Sequence, residues 1–403
     1  MKIYISGISG TGMGPLALMA KAAGHEVCGS DLARGAIYDE LIKAGIEVYI
    51  GEQDGEFLRA KLEGLDWFAY TSALPETHAE LKIAREAGVK VTKRDDLTAY
   101  LVDELGLKMI AVAGTHGKTT TTAMIIWTGL KLGLPVSYIV GTTLGFAPSG
   151  AYHKGDKYFV YEADEYDRNF LKYRPWLNVI PYMSYDHADI YPTRKDYAAA
   201  FAQFELQSEK VIKDAGDLVD DFRLAGEARR KDAALAALAV REMVPEAEFG
   251  EIVEVMNEFP GVGRRFEKLA EGIYTDYAHH PEEIEATIGI AREEAERLGL
   301  GGVCVVYQPH QNIRQHEVRG GYAGAFGKAD KVLWLPTYLT REDPSLPVLT
   351  PEELSANVEN AEVAELNDAL FEKILKLRGE RNLVVLMTAG PADEWLRKKL
   401  GIF

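Results

Sequence analysis

The segment from Ala113 to Thr119 reads Ala-Gly-Thr-His-Gly-Lys-Thr and follows an apolar run, with a helical pattern continuing to about Lys131. Glycine lets the backbone wrap closely around a phosphate, Lys118 can reach its terminal oxygens, and Thr119 can ligate Mg²⁺. Val112 stands where the general pattern has its first glycine, so this is a shortened phosphate loop. A glycine turn without ligand is the alternative. The predicted phosphate-binding residues are Gly114, Thr115, His116, Gly117, Lys118, Thr119 and Thr120.

Carboxylates and a histidine follow two later apolar runs. Glu162, Asp164 and Glu165 come after KYFVY, and Asp186 and His187 follow LNVIPYM. In a P-loop fold, an acidic residue at such a strand end contacts Mg²⁺ directly or through water. An acidic surface loop and a structural histidine are the alternatives. The predicted metal ligands are Thr119, Glu162 and His187, and the predicted catalytic residues are Lys118, Glu162 and His187.

A second glycine cluster lies near the start of the chain, where Gly7-Ile-Ser-Gly10-Thr-Gly12-Met-Gly14 separates the run KIYIS from a helical stretch. Glycines here allow a phosphate to approach the free N–H groups of the helix. Ser30 and Asp31 end the next strand, where a Rossmann-like unit positions a carboxylate for a ribose hydroxyl. The spacing departs from G-x-G-x-x-G, so a tight turn without ligand is the alternative.

Basic and aromatic residues cluster in the last third of the chain. Arg264 and Arg265 could neutralise phosphate charge. Further on, Asp276, Tyr277 and His279 lie in the segment TDYAHHP, and His310 and Arg314 lie in YQPHQNIR. These histidines lack an H-E-x-x-H pattern and a cysteine partner, which argues against catalytic zinc.

The composition is that of a soluble globular protein of 403 residues with a net charge of −17. Such an acidic chain is not expected to bind nucleic acid. The start of the chain lacks the long apolar stretch of a signal peptide, and the apolar runs are too short to insert in a membrane. Two distant cysteines exclude a disulfide scaffold. We therefore expect a cytoplasmic protein.

Short apolar runs alternate with amphipathic stretches throughout, which predicts an α/β protein with parallel sheets. The segment 246–263 is acidic and ends in Pro260 and two glycines, which suggests a boundary. We expect three domains, at residues 1–107, 108–262 and 263–403.

Together these residues resemble the Mur ligase family, the ATP-dependent amide ligases of cell-wall precursor synthesis. The resemblance spans nearly the whole chain and rests on GISGTGM, GSD, TSA, AGTHGKTTTT, EADEYD, DHAD, GRRFE, DYAHHP and QPH, in the family's order. It implies a Rossmann-like UDP-sugar domain, a P-loop ATPase-like central domain and a Rossmann-like C-terminal domain.

The resemblance also implies roles for individual residues. ATP would be bound by the phosphate loop together with Arg264, Arg265 and Asp276, with two Mg²⁺ ions. The implied UDP-sugar ligands are Gly7, Gly10, Thr11, Gly12, Met13, Ser30, Asp31 and Ser72. The implied amino-acid ligands are Tyr277, His279, His310 and Arg314. Closure of the three domains would exclude water, and the protein would be a monomer or homodimer.

Within the family, the chain most resembles the branch whose acid substrate is UDP-N-acetylmuramate. Its motifs favour different amine substrates. QPH and Arg314 favour L-alanine, whereas EADEYD and DHAD resemble relatives that attach a recycled murein tripeptide. A non-catalytic nucleotide-binding relative is a further alternative, because the central domain is short. Ala228, Arg229 and Asp232 also replace the His-Asn pair and the further Asn that relatives have near the adenine. A folate-type ligase is disfavoured by the amino-terminal domain.

Overall fold

The computed structural model describes residues 1–71, 73–187, 190–340 and 342–402. They fold into two compact units, one made of residues 1–222 and 231–260, the other of residues 223–230 and 261–403. Three sheets, one of five strands and two of six, give the α/β architecture that the sequence predicts. The boundaries of the three expected domains remain predictions.

The first sheet is parallel and has the order β3-β2-β1-β4-β5. Its strands are β1 (Lys2–Ser6), β2 (Glu26–Asp31), β3 (Glu47–Ile50), β4 (Trp67–Tyr70) and β5 (Lys90–Lys93). Its helices are α1 (Gly14–Ala22), α2 (Tyr38–Lys43), α3 (Glu56–Arg59), α4 (Ala79–Glu86) and α5 (Arg94–Glu104). The strand order reverses between β1 and β4, and in such sheets ligands bind in the crevice at this point.

The second sheet has the order β11-β10-β6-β9-β7-β8, with only β8 antiparallel among the described strands. Its strands are β6 (Lys108–Val112), β7 (Val136–Ile139), β8 (Gly150–Ala151), β9 (Tyr158–Glu162), β10 (Leu177–Val179) and β11 (Lys210–Ile212). Its helices are α6 (Lys118–Lys131), α7 (Arg194–Gln207), α8 (Glu227–Met243) and α9 (Phe249–Asn257), with 3₁₀ turns at Tyr166–Lys172 and Gly216–Asp221.

The first two sheets share one apolar core, to which Leu16 of α1 and Phe159 of β9 both belong. The contact is close at β8, because a Cβ on Gly150 would lie 2.1 Å from the carbonyl oxygen of Pro15. Glu40 of α2 also accepts hydrogen bonds from the N–H and hydroxyl of Ser149, at 2.8 and 2.9 Å. These contacts explain why the first two sheets form a single unit.

The second unit contains the third sheet, of order β12-β13-β17-β14-β15-β16, in which β12 is antiparallel. Its strands are β12 (Glu267–Ala270), β13 (Ile273–Asp276), β14 (Gly302–Gln308), β15 (Lys331–Trp334), β16 (Ala361–Val363) and β17 (Asn382–Thr388). Its helices are α10 (Pro281–Arg297), α11 (Asn312–Val318), α12 (Tyr322–Ala325), α13 (Pro351–Ser355), α14 (Asp368–Gly379) and α15 (Ala392–Leu400). Among the described helices of both units, none is long and apolar enough to cross a membrane.

Candidate active site

The phosphate loop connects the end of β6 with the start of α6. Gly114 and Gly117 have φ angles of +146° and +83°, which favour glycine. A Cβ on Gly117 would lie 2.6 Å from Oδ1 of Asp232 and 2.8 Å from Cβ of Pro181. The loop therefore needs glycine at this position, and it ends at the N-terminus of a 14-residue helix, where an anion is favoured.

Lys118 is held by a buried carboxylate at the loop. Its ammonium group donates to the two carboxylate oxygens of Glu165, at 3.1 and 2.8 Å, and to the carbonyl oxygen of Gly114. The Glu165 side chain is 1% exposed. Burial lowers the pKa of Lys118, but the attraction of Glu165 and Asp164 outweighs burial and raises it overall. Lys118 is therefore a fixed positive charge at the loop.

Thr119 and Glu162 lie together, as the sequence predicts. Oγ1 of Thr119 donates to Oε1 of Glu162 at 2.8 Å, while Oε2 of Glu162 accepts the N–H of Gly141 at 3.4 Å. The reason is the sheet order, because β9 pairs with β6 and Glu162 lies opposite Val112, just before the loop.

His187 follows β10, on the opposite side of β6 from β9. Its Nε2 lies 3.7 Å from Oε1 of Glu165 and 3.8 Å from Oδ2 of Asp186, and its φ is +58°. Glu165 therefore lies between Lys118 and His187. Glu165 was not among the predicted site residues, although its position in the acidic segment EADEYD was a signal for it.

Thr115 and His116 attach the loop to the segment after β10. Oγ1 of Thr115 donates to the carbonyl oxygen of Ser184 at 2.6 Å and lies 2.7 Å from the hydroxyl of Tyr197. The His116 ring stacks on Tyr182, with centroids 5.7 Å apart. Thr120 lies half-buried in the first turn of α6. The contacts of Thr115 and His116 fix the loop's shape.

The first glycine turn follows β1 and leads into α1. Gly7 has a φ of +81°, and Asp31 accepts the N–H of Ser9 at 2.8 Å, which fixes the turn against the end of β2. No acceptor among the described residues is found for the N–H groups of Thr11, Gly12 and Met13. Adjacent N–H groups of this kind, at the start of a helix, suit a phosphate.

Ser30, predicted as a sugar ligand, is enclosed by protein groups at the end of β2. Its side chain is fully buried, and its hydroxyl donates to Glu80, at 2.7 and 2.8 Å from the two carboxylate oxygens. Its carbonyl oxygen accepts the N–H of Gly7 at 2.8 Å. In this structure Ser30 therefore holds the glycine turn. Ser72, also predicted as a sugar ligand, lies outside the described residues, while Gly10 lies within the turn.

In the second unit, Arg264 and Arg265 lie 4.7 and 5.3 Å from the ring centre of Tyr277. Arg264 also donates to the carbonyl oxygen of Thr388 at 2.8 Å. Asp276 is 6% exposed and accepts the N–H groups of Phe266 and Ala278, at 2.6 and 2.7 Å. Burial raises the pKa of Asp276. The Asp276 carboxylate therefore fixes the backbone at Phe266 and Ala278. Its contact with a ribose remains a prediction.

His279, His310 and Arg314 lie near the carboxyl ends of the parallel strands β13 and β14, which flank β17. The rings of His279 and His310 are 5.7 Å apart. Burial, aided by the positive charge of Arg314, lowers the pKa of His279 to about 4, so this ring is neutral at pH 7. Arg314 has no hydrogen bond or ion pair with any described residue, so its guanidinium can hold a carboxylate.

Comparisons with known proteins identify the family of this chain. Residues 2–104 match the family model described as Mur ligase family, catalytic domain, residues 112–217 the Mur ligase middle domain, and residues 264–390 the Mur ligase glutamate ligase domain. The chain belongs to the Mur ligase family. A UDP-N-acetylmuramate–L-alanine ligase of Symbiobacterium thermophilum is 31% identical over 98% of this chain and 92% of its own length.

Solved structures share the fold of this Mur ligase. The UDP-N-acetylmuramate–alanine ligase of Thermotoga maritima has a TM-score of 0.80 at 23% identity and covers 100% of this chain and 98% of its own. A murein peptide ligase of Psychrobacter arcticus 273-4 has a TM-score of 0.62 at 22% identity, with the same coverage. The predicted fold class is therefore confirmed.

The donor set at the phosphate loop fits Mg²⁺. Thr119 and Glu162 offer hard oxygen atoms, and the His187 imidazole and the Glu165 carboxylate lie 3.7 Å apart. Carboxylate and hydroxyl oxygens suit this cation, which keeps several waters and binds through few protein groups. The assignment of Thr119, Glu162 and His187 as ligands remains a prediction.

Replacing Glu162 with glutamine is expected to raise the Mg²⁺ concentration for half-maximal activity about 10-fold or more, because a neutral amide is a poorer ligand for a hard cation. A Mg²⁺ titration of ADP release measures this. The matched control is E209Q, which neutralises the exposed carboxylate of Glu209 on the same unit and should leave the titration at its wild-type midpoint. An unchanged titration for E162Q would remove Glu162 from the metal ligands.

Proposed function

We propose that this Mur ligase uses ATP to join the carboxyl group of UDP-N-acetylmuramate to the amine of L-alanine, releasing ADP and phosphate. One observation carries the proposal. Lys118, Thr119, Glu162 and His187 converge beside one phosphate loop. The chain that contains them aligns over nearly its whole length with ligases named for these two substrates.

In the proposed reaction, a carboxylate oxygen of the sugar's lactyl group attacks the γ-phosphorus of ATP, and ADP leaves. The amine nitrogen then attacks the resulting acyl phosphate, phosphate leaves, and the nitrogen gives up a proton as the amide forms. The first step brings two anions together, so its barrier depends on positive charge fixed at the γ-phosphate. Lys118 provides such a charge, and Mg²⁺, when bound, would neutralise further phosphate charge.

The second unit supports recognition of a small amino acid. Arg314 has no ion-pair partner among the described residues and can hold the amino acid's carboxylate. His279 and His310 lie close to each other near the same strand ends, and His279 is neutral at pH 7 because burial lowers its pKa to about 4. A neutral imidazole next to the carboxylate site does not repel the ammonium form of an incoming amino acid.

The second candidate is a ligase that attaches a murein tripeptide. The observation that favours it is the resemblance of EADEYD and DHAD to that branch, together with a structural match to a murein peptide ligase. L-alanine is favoured by relatives that are named as L-alanine ligases and align with nearly the full chain. The solved alanine ligase also has a higher TM-score than the murein peptide ligase.

An ADP-release assay with UDP-N-acetylmuramate, Mg²⁺ and a panel of amino acids and murein peptides separates these candidates. L-alanine is expected to give the highest kcat/KM. Preference for the tripeptide would support the second candidate. ATP binding without ADP release for any member of the panel would support a non-catalytic nucleotide-binding relative.

A further inference from the structure

Arg94, the first residue of α5, lies against the first glycine turn although it is distant from it in sequence. Its Nη1 lies 3.0 Å from where a Cβ on Gly12 would be. The turn follows β1, whereas α5 follows β5, so Arg94 reaches the turn from the far side of β4. It therefore borders the crevice between β1 and β4, where the strand order reverses.

The guanidinium of Arg94 is fixed on one edge only. Its Nη2 donates to Oδ1 of Asp95 at 3.1 Å, and this carboxylate oxygen also accepts the hydroxyls of Tyr161 and Tyr173, both at 2.8 Å. Asp95 is 2% exposed. Tyr161 lies on β9 and Tyr173 follows the 3₁₀ turn after it, so Arg94 is anchored through Asp95 to the second sheet, in which β9 pairs with β6.

The other edge of the guanidinium has donors without acceptors. Nε of Arg94 is buried, and neither Nε nor Nη1 has a hydrogen-bond partner among the described residues. A buried N–H without an acceptor is costly, so a phosphate oxygen next to Arg94 would be favourably bound. The nearby N–H groups of Thr11 and Gly12 also lack acceptors among the described residues. Donors from two separate segments therefore lie close together.

We propose that Arg94 binds the diphosphate of the nucleotide sugar, with Asp95 as the positioning residue that orients its guanidinium. The planar fork of arginine can hold Asp95 with one nitrogen and phosphate oxygens with the others. This inference rests on the proposed function for the identity of the sugar, but the recognised chemistry is a nucleoside diphosphate. It predicts that the second sheet contributes to binding of this substrate indirectly, because Tyr161 and Tyr173 hold Asp95, which orients Arg94.

The test measures the Kd of UDP and of UDP-N-acetylmuramate by calorimetry for the full chain and its variants. Arg94→Ala should raise both Kd values about 10- to 100-fold, because it removes charge-assisted hydrogen bonds. Arg94→Lys should restore little of the affinity, because an ammonium group lacks the planar fork. The Kd of ATP should stay within about 2-fold in both variants. Arg85→Ala is the matched control, since Arg85 lies half-exposed on α4 and pairs with Glu76.

The outcomes separate this inference from the proposed function. Wild-type affinity for UDP in both Arg94 variants would overturn the role of Arg94, even if the ligase activity is as proposed. If the wild type binds UDP but not UDP-N-acetylmuramate, the proposed substrate is contradicted. In that case a raised Kd of UDP in R94A would still support the role of Arg94. Should R94A fail to fold, as judged by its melting temperature, the Kd of R94K decides.

Discussion

Replacing Lys118 with alanine is expected to lower kcat at least about 10³-fold. The lysine is a fixed positive charge at the start of α6, and phosphoryl transfer to a carboxylate depends on such charge in the transition state. A loss of this size corresponds to about 4 kcal/mol of transition-state stabilisation. Steady-state ADP release at saturating ATP measures it.

The Lys118 variant needs a control for the charge that it leaves behind. Glu165 is 1% exposed and pairs with Lys118, so removal of the lysine alone leaves a buried carboxylate without its cation. The double variant Lys118→Ala with Glu165→Gln removes both charges and should recover stability but not activity. Lys131→Ala, at the exposed end of the same helix, should keep wild-type activity. Retention of more than a tenth of wild-type kcat in K118A would contradict the phosphate assignment.

Replacing Arg314 with alanine is expected to raise the KM for L-alanine about 10²-fold. A charge-assisted hydrogen bond contributes roughly 1.5–3 kcal/mol, and the carboxylate is the largest polar handle of a small amino acid. The guanidinium has no ion-pair partner among the described residues, so its removal leaves no buried carboxylate unpaired there. Initial rates at varied L-alanine concentration measure the change.

The same variant has a clear internal control. The KM values for ATP and for the UDP-sugar should stay within about 2-fold of wild type, because Arg314 is assigned to the amino acid alone. Arg319→Ala, which removes an exposed arginine just beyond α11, should leave all three KM values unchanged. An unchanged KM for L-alanine in R314A would exclude Arg314 from the amino-acid site.

Much of the fold could be predicted from local patterns. The apolar runs KIYIS and MIAV form β1 and β6, and the helix expected from Lys118 to about Lys131 has those bounds. The acidic segment 246–263 contains α9, whose Ile252, Val253 and Met256 are buried, and the domain boundary expected at the end of this segment stays a prediction. The apolar residues of α9 recur every three to four positions and so form one face of the helix, which packs on α6. The acidic residues of the segment therefore do not prevent it from forming a helix.

In the candidate site, too, some residues could be predicted from local patterns and others could not. Thr119 and Glu162 were both predicted as metal ligands, and they meet because Glu162 ends β9 next to the end of β6, from which the phosphate loop leads to Thr119. The pairing of Lys118 with Glu165 could not be predicted, because it depends on the three-dimensional path of the acidic segment and not on its spacing in the sequence. Arg94 carries no motif, and its approach to Gly12 depends on how α5 crosses the sheet edge. Contacts between segments distant in sequence were therefore the ones missed.

This Mur ligase is proposed to add L-alanine to UDP-N-acetylmuramate. The most direct test incubates the full chain with UDP-N-acetylmuramate, ATP, Mg²⁺ and equimolar L-alanine and murein tripeptide, and identifies the product by mass spectrometry. The expected product is UDP-N-acetylmuramoyl-L-alanine, formed with one ADP per amide. Formation of the tripeptide conjugate with no alanine product would contradict the claim.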